Sequence, residues 1–384
     1  IIMFSIISSG MVSVMTQNIG AGRPGVAYQA RQLGLLFNAV AGVLMAVFLF
    51  SGAGAILRMV GIADALYEPA LIYLKIVGGG CILNAVIPIF SSYLRAFGYT
   101  KQPLYATIVG NIANFVMNAV FLFVLHKGVA GVATATVISK ILNLCIVLYF
   151  SHKLISAKNS TERIANKTVL GQIVKVGLPS ACETALYNVA MMLVIRFLNQ
   201  MDAEGLNVTA RSYTATISNF SYCVGAALAQ ANAIMTGWHI GAGELEECDR
   251  GTKRAAFVGV CVAVCMETAI VLGSGFIMPL FTDNPEMTAL VRKLLAIDIV
   301  LEIGRVTNLV FGQALKTSGD AVFPAVIAAV FMFVFAVGGT WLFGISMGLM
   351  AVGAYIGLAS DECVRAVGMV WRWKTGKWRT KKLV

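Results

Sequence analysis

Long apolar stretches constrain this sequence more than any other feature. A helix that crosses a membrane needs about 20 mainly apolar residues, and eleven segments meet that requirement, the first in part. The charged share is 12%, about half that of a soluble domain, so lipid must cover most of the surface. We therefore predict an all-α integral membrane protein. Its spans are 1–15, 33–56, 66–93, 104–126, 129–150, 177–200, 209–236, 255–280, 288–314, 321–345 and 349–372.

The basic residues lie mostly in short loops and give the chain a net charge of +11. Loops rich in Lys and Arg alternate with loops that hold fewer of them. Because basic loops stay on the cytoplasmic side, we predict a multi-pass protein of the cell membrane. Its polar linker, 151–175, and its basic tail, 373–384, then lie in the cytoplasm. Nucleic-acid binding, the other common meaning of a basic chain, is not expected.

The residues that usually build metal or catalytic centres are scattered here. The eight Cys lie mostly inside apolar stretches, and the three His are far apart. No spacing typical of a metal site, a disulfide framework or a nucleophile with its base is present. We expect no metal, no cofactor and no enzyme activity.

One constant offset brings the two halves of the chain into register (240 − 19 = 319 − 98 = 324 − 103). Such self-similarity at a single offset indicates an internal repeat. It predicts an N-terminal lobe, 1–150, and a C-terminal lobe, 176–372. The matching positions are Ile19–Gly22 with Ile240–Gly243, Gly98 with Gly319 and Pro103 with Pro324.

The same offset places Ile1 on Tyr222, inside the second helix of the second half. We therefore expect a twelve-helix plan of two homologous six-helix lobes, with the first helix missing and about eleven helices present. An even number of helices separates matching loops, so both lobes keep one orientation. That is a parallel repeat about an axis along the membrane normal.

Several motifs resemble those of one transporter family. The chain is similar, in their order and spacing, to the multidrug and toxic compound extrusion (MATE) transporters. The motifs are QNIGAGR (17–23), LRAFGYTKQP (94–103), GVAGVATATVIS (128–139), VGLPSACETALYN (176–188), LEIGRVTNLV (301–310), LKTSGDAVFP (315–324) and SDECVRAVGMVWRWKTGKW (360–378).

The resemblance implies two six-helix lobes around a central cavity. It implies export of organic cations or other amphipathic compounds, driven by an inward gradient of H⁺ or Na⁺. The partners would be a small cationic or amphipathic substrate and membrane lipid, and we expect a monomer. Many proton-coupled members use an acid in the first helix, which this sequence lacks, so that role stays unassigned.

Charged residues inside the spans are the first candidates for function, because each costs roughly 2.5–3.5 kcal/mol near the bilayer centre. In residues 1–150 the acids are Asp64 and Glu68, both in a predicted outer loop. A cation site is therefore expected in the second lobe. The candidates for cation coupling or substrate binding are Glu183, Asp298, Glu302, Arg305 and Asn308.

The last four of these residues are three or four positions apart and share one helix face. Lipid cannot satisfy such a polar stripe, so it should face the lobe interior. Two interpretations stay open. Glu302 and Arg305 form a buried ion pair that holds helices together, or Glu183 or Glu302 binds the transported cation. Both hold if Arg305 competes with that cation for one carboxylate.

Residues beyond Glu183 are candidates for lining the cavity, where flat cations can be held by dispersion and cation–π contacts. They are Tyr187, Asn188, Met191 and Met192. Near the predicted cytoplasmic end, Asp361 and Glu362 could pair with Arg365 or with Lys140 of the first lobe. For them we expect a gating or structural role.

Two other functions remain as alternatives. A lipid-linked precursor flippase can share the two-lobe plan, but it should have a more basic cavity than these acids predict. A non-transport membrane protein, such as an intramembrane enzyme or a receptor, has less support because the chain is duplicated. No ATP-binding motif is present, so direct powering by ATP is not expected.

Overall fold

The computed structural model describes residues 2–155, 162–202 and 205–384, and within these ranges the chain is helical with no strand. Seven helical stretches are long and apolar enough to cross a membrane. The long helices Pro285–Ser318 and Met350–Lys374 lie outside that set because charged residues occupy their middles. The prediction of an all-α membrane protein is confirmed. The chain forms two compact units, Ile1–Gly177 and Leu178–Val384, called here the N-terminal and C-terminal units.

The N-terminal unit follows the predicted spans with one break. The predicted span 66–93 is two helices, because three consecutive glycines, 78–80, weaken the helix by about 1 kcal/mol each relative to Ala. The helices are α1 (Ile2–Gly20), α2 (Pro24–Val60), α3 (Asp64–Gly79), α4 (Cys81–Ala96), α5 (Lys101–Ala119) and α6 (Gly128–Leu154).

Helices extend into the polar stretch 151–175 from both sides. Helix α6 continues to Leu154, and α7 (Asn166–Met201) begins well before the predicted span. The first turns of α7 belong to the N-terminal unit, where a Cβ on Gly10 would overlap the carbonyl of Ile173. Residues 156–161 of the predicted linker lie outside the described residues.

The C-terminal unit contains most of α7 and five further long or interrupted helices. These are α8 (Leu206–Ala242), α9 (Leu245–Ile277), α10 (Pro285–Ser318), α11 (Val322–Phe331) and α12 (Met350–Lys374). Helix α11 continues as two π-helical segments, Met332–Val337 and Thr340–Ser346.

The backbone repeats its geometry at the offset found in the sequence. Gly22 and Gly243 have φ of +73° and +79°, and Gly98 and Gly319 have φ of +85° and +97°. Both pairs have the same separation along the chain (243 − 22 = 319 − 98). Each of these glycines ends a helix with the left-handed conformation that glycine adopts without strain. The helix ends at these two positions therefore repeat between the two units.

The predicted basic tail is packed against its own unit. Trp378 stacks on Trp373 with ring centroids 4.2 Å apart, and both side chains are buried. The indole of Trp373 donates to Asp249 Oδ1 at 2.7 Å, and Arg379 lies 2.8 Å from Glu246. The tail thus covers the first turns of α9.

The start of α10 offers a small stability prediction. Asn284 Oδ1 accepts hydrogen bonds from the backbone N–H groups of Glu286 (2.8 Å) and Met287 (3.3 Å). Asn284→Ala should lower the free energy of unfolding by about 1 kcal/mol, because those donors lose their partner. Unfolding in mixed micelles measures this, with Asn284→Asp as a control that keeps the acceptor. An unchanged midpoint for the alanine variant would contradict the cap.

Candidate functional site

A cavity of about 550 Å³ opens within the C-terminal unit, a volume typical of small-molecule sites. Its walls come mainly from α7, α8, α10 and α12. Four carboxylates and three guanidinium groups line it together with aromatic and Met side chains. The charged lining residues are Glu183, Asp298, Asp361, Glu362, Arg211, Arg305 and Arg365.

Most of the residues predicted from the sequence lie on this wall. Glu302 is fully buried behind the lining. Met192 is 69% exposed and does not line the cavity. Met191 does line it, and consecutive residues point about 100° apart around a helix. The predicted residues that line the cavity are Glu183, Tyr187, Asn188, Met191, Asp298, Arg305, Asn308, Asp361 and Glu362.

Lys140 lies in the N-terminal unit and has a partner there. Its Nζ donates a hydrogen bond to Asn84 Oδ1 at 2.8 Å, which joins α6 to α4. Of the two partners left open for Asp361 and Glu362, the structure uses Arg365.

The side chains of α10 and α12 form a series of alternating charges. Arg305 Nη1 donates to Glu302 Oε1, and Arg305 Nε lies 3.9 Å from Glu362 Oε1. Arg365 then contacts Glu362 at 2.7 Å and binds Asp361 through two hydrogen bonds of 3.0 and 2.7 Å. Each of these two arginines therefore lies between acids, which fixes the wall by charge-assisted hydrogen bonds.

Asn308 completes this wall one turn beyond Arg305. Its Nδ2 donates to Glu362 Oε2 at 3.0 Å. The guanidinium of Arg305 also lies 5.7 Å from the ring centroid of Tyr222, within cation–π range. The polar stripe of α10 thus lies in the interior of the unit and is linked to α12 and α8.

Three carboxylates meet beside this series. One oxygen each of Glu267, Asp298 and Glu302 lies within 4.8 Å of the others, and all three side chains are buried. Among the described residues, no hydrogen bond reaches Oδ2 of Asp298 or Oε2 of Glu302, and Ser221 is the polar neighbour of Glu267. We call the three acidic residues the carboxylate cluster. Three negative charges so close in a dry interior need protons or a cation to offset them, and carboxylate oxygens suit a hard cation.

Glu183 lies apart from the carboxylate cluster. Pro179 is inside α7, one turn earlier, and a proline inside a helix frees a backbone carbonyl. Lys316 Nζ lies 2.8 Å from Glu183 Oε2, without the alignment of a hydrogen bond. A cation that binds Glu183 would therefore compete with Lys316.

Sequence reasoning did not select Glu267 or Arg211. Glu267 comes from α9 and meets Asp298 of α10, and residues on two different helices share no local sequence signature. Arg211 lies in the second turn of α8, which begins at Leu206, and it reaches the cavity. Glu267 could have been selected from the sequence because it is an acid inside a predicted span with no basic residue near it.

Comparison with known proteins shows the family of this chain. The MatE family model matches residues 1–120 and 179–342. The uncharacterized transporter YisQ of Bacillus subtilis (strain 168) is 31% identical over 387 residues, covering 99% of this chain and 85% of YisQ. A crystal structure of MATE in the straight conformation has a TM-score of 0.87 at 20% identity. An outward-facing multidrug resistance MATE family transporter of the MOP superfamily has a TM-score of 0.83 at 20% identity. Both alignments cover 98% of this chain and 85% of the other, and both show the fold.

Proposed function

Because the chain belongs to the MatE family of membrane transporters, we propose that it exports organic cations and drugs in exchange for H⁺ or Na⁺. The observation that carries the proposal is the carboxylate cluster beside a drug-sized cavity. The family consists of transporters, so the enzyme alternative is set aside. In this proposal the protein is a monomer of the cell membrane, with its basic loops and tail in the cytoplasm, and its two duplicated lobes alternate access to the cargo.

Asp298 connects the two parts of the site. It belongs to the carboxylate cluster and also lines the cavity. When H⁺ or Na⁺ occupies the cluster, negative charge beside the cavity falls, and a cationic cargo is held less strongly. By linkage the cargo weakens binding of the coupling ion to the same extent. This mutual exclusion is what antiport requires.

Arg305 supplies the competing charge. It is hydrogen-bonded to Glu302, so a cation entering the cluster must share that carboxylate with the guanidinium. The two interpretations of the Glu302–Arg305 pair are then compatible. The ion pair holds the helices together in one state, and the carboxylate of Glu302 binds the transported cation in the other.

The cavity also suits a flat amphipathic cargo. Tyr187, Tyr222 and Tyr355 lie on its wall with Met191 and Met332. Aromatic faces attract cations, and thioether side chains adapt to varied shapes. The flippase alternative gains less support, because acids outnumber arginines on the wall and two of the three arginines are paired with acids.

Ethidium efflux from cells expressing the protein tests this function. Glu302→Gln and Asp298→Asn should each slow efflux by roughly tenfold or more, because an interaction with a charged group is typically worth at least about 1.5 kcal/mol. They should also flatten its dependence on external Na⁺ or pH, and the ion whose gradient drives wild-type efflux identifies the coupling ion. Glu183→Gln is expected to weaken cargo binding.

Glu286→Gln is the matched control, because Glu286 is exposed in the first turn of the same helix. It should export as wild type does. If Glu183→Gln and Glu302→Gln also export as wild type does, the site assignment is wrong. Absence of any gradient-driven efflux would remove the exporter proposal itself.

A further inference from the structure

We propose that Arg211 is an anion-binding subsite of the cavity, so that the preferred cargo is an amphipathic zwitterion that carries a carboxylate as well as a cationic group. This inference deepens the export function proposed above and depends on the same cavity. Three observations support it: the position of Arg211 on the cavity wall, its unused hydrogen-bond donors and its separation from Glu183.

Arg211 is the cavity arginine without an acidic partner. Arg305 and Arg365 each lie between carboxylates. Across the described residues, no carboxylate comes within ion-pair distance of Arg211. Its Nη2 donates to Met191 Sδ at 3.6 Å.

The guanidinium keeps most of its hydrogen-bonding capacity. Arginine has five N–H donors, and a thioether sulfur is a weak acceptor. The Nε atom of Arg211 is buried and has no hydrogen-bond partner among the described residues. A buried donor without a partner costs free energy that a ligand can recover. A carboxylate matches the guanidinium in shape and charge, and it binds such a group through two parallel hydrogen bonds.

Arg211 is separated along the cavity wall from Glu183. Arg211 contacts Met191, and Glu183 lies two turns earlier on the same helix as Met191. Two turns of α-helix span about 11 Å. Tyr187 and Leu358 also line the wall. A ligand with an acidic end, an aromatic body and a cationic end therefore matches the order of groups along this wall.

A pair of fluorescent dyes distinguishes this subsite from a purely structural arginine. Rhodamine 110 carries a free carboxylate, and rhodamine 123 is its methyl ester, a cation with nearly the same shape. Fluorescence anisotropy of the purified protein in detergent measures both affinities. The wild-type protein should bind rhodamine 110 more tightly than rhodamine 123.

Arg211→Gln should weaken binding of rhodamine 110 by roughly tenfold or more, as for loss of a hydrogen bond to a charged group. It should change binding of rhodamine 123 by less than about twofold. Arg211→Lys keeps the positive charge but loses the planar guanidinium that forms two parallel hydrogen bonds. It should therefore retain part of the preference for rhodamine 110. Arg196→Gln is the matched control, because Arg196 is exposed on α7 and does not line the cavity.

Three results overturn the subsite: equal wild-type affinity for the two dyes, an equal loss for both dyes in Arg211→Gln, or no loss for either. The wild-type comparison needs no variant, so it decides the question even if Arg211→Gln does not fold. Dye selectivity without ethidium efflux would support the subsite and reject the export function. Efflux without selectivity would reject the subsite alone.

Discussion

Arg305→Gln is expected to lower the free energy of unfolding by about 3–5 kcal/mol, because it leaves a buried charge without its partner. Glu302 is fully buried and is hydrogen-bonded to Arg305. Glu362 also loses a neighbouring positive charge. The change is measured by unfolding of the purified protein in mixed micelles.

A double variant separates the lost pair from other effects of the substitution. Arg305→Gln combined with Glu302→Gln removes both charges, so it should recover much of the loss. Arg292→Gln is the control, because Arg292 is exposed on the same helix and donates to Ser274 rather than to an acid. A cost below about 1 kcal/mol for Arg305→Gln, the value typical of exposed pairs, would mean that the pair contributes little to holding α10 in place.

Gly304→Leu should strongly reduce the amount of folded protein. A Cβ at Gly304 would lie 2.7 Å from the backbone N of Cys363 and 2.8 Å from the backbone C of Glu362. Both atoms belong to the backbone of α12, which cannot move aside as a flexible side chain does. Forcing the helices apart should cost about 3 kcal/mol or more, and it would also separate Arg305 from Glu362.

The measurement is the yield of monodisperse protein after detergent extraction, followed by thermal unfolding. Gly251→Leu is the matched control, since Gly251 is also in a long helix but a Cβ there meets nothing within 4 Å. That variant should fold at wild-type yield, because Leu has a higher helix propensity than Gly. Equal yields for the two leucine variants would show that α10 and α12 tolerate a wider separation than their backbones indicate.

The contact of α10 with α12 shows which part of the candidate site the sequence could predict. The polar stripe on α10 was predictable, and its partners on α12 were not. The stripe on α10 was visible because Asp298, Glu302 and Arg305 repeat at helical spacing. The partners of that stripe were not visible. Glu362 reaches Arg305 from a different helix, and it can do so because Gly304 lets the two backbones approach closely.

The cavity-lining residues show the same limit. Tyr187, Asn188 and Met191 face the cavity, but Met192 points away from it. A sequence window identifies candidate lining residues beyond Glu183. It does not fix which side of α7 faces the interior, since that depends on how the helix packs against its neighbours.

By itself, the sequence determined the membrane class, the helical spans, the duplication and the polar stripe of α10. These properties follow from composition and short-range periodicity, which the bilayer enforces because unpaired backbone groups and charges are costly there. The tertiary structure alone decided that Glu267 joins Asp298 and Glu302, that Arg211 reaches the cavity, and that the tail packs on α9. Those contacts join residues on separate helices, and their positions depend on where the helices approach most closely, which no local pattern records.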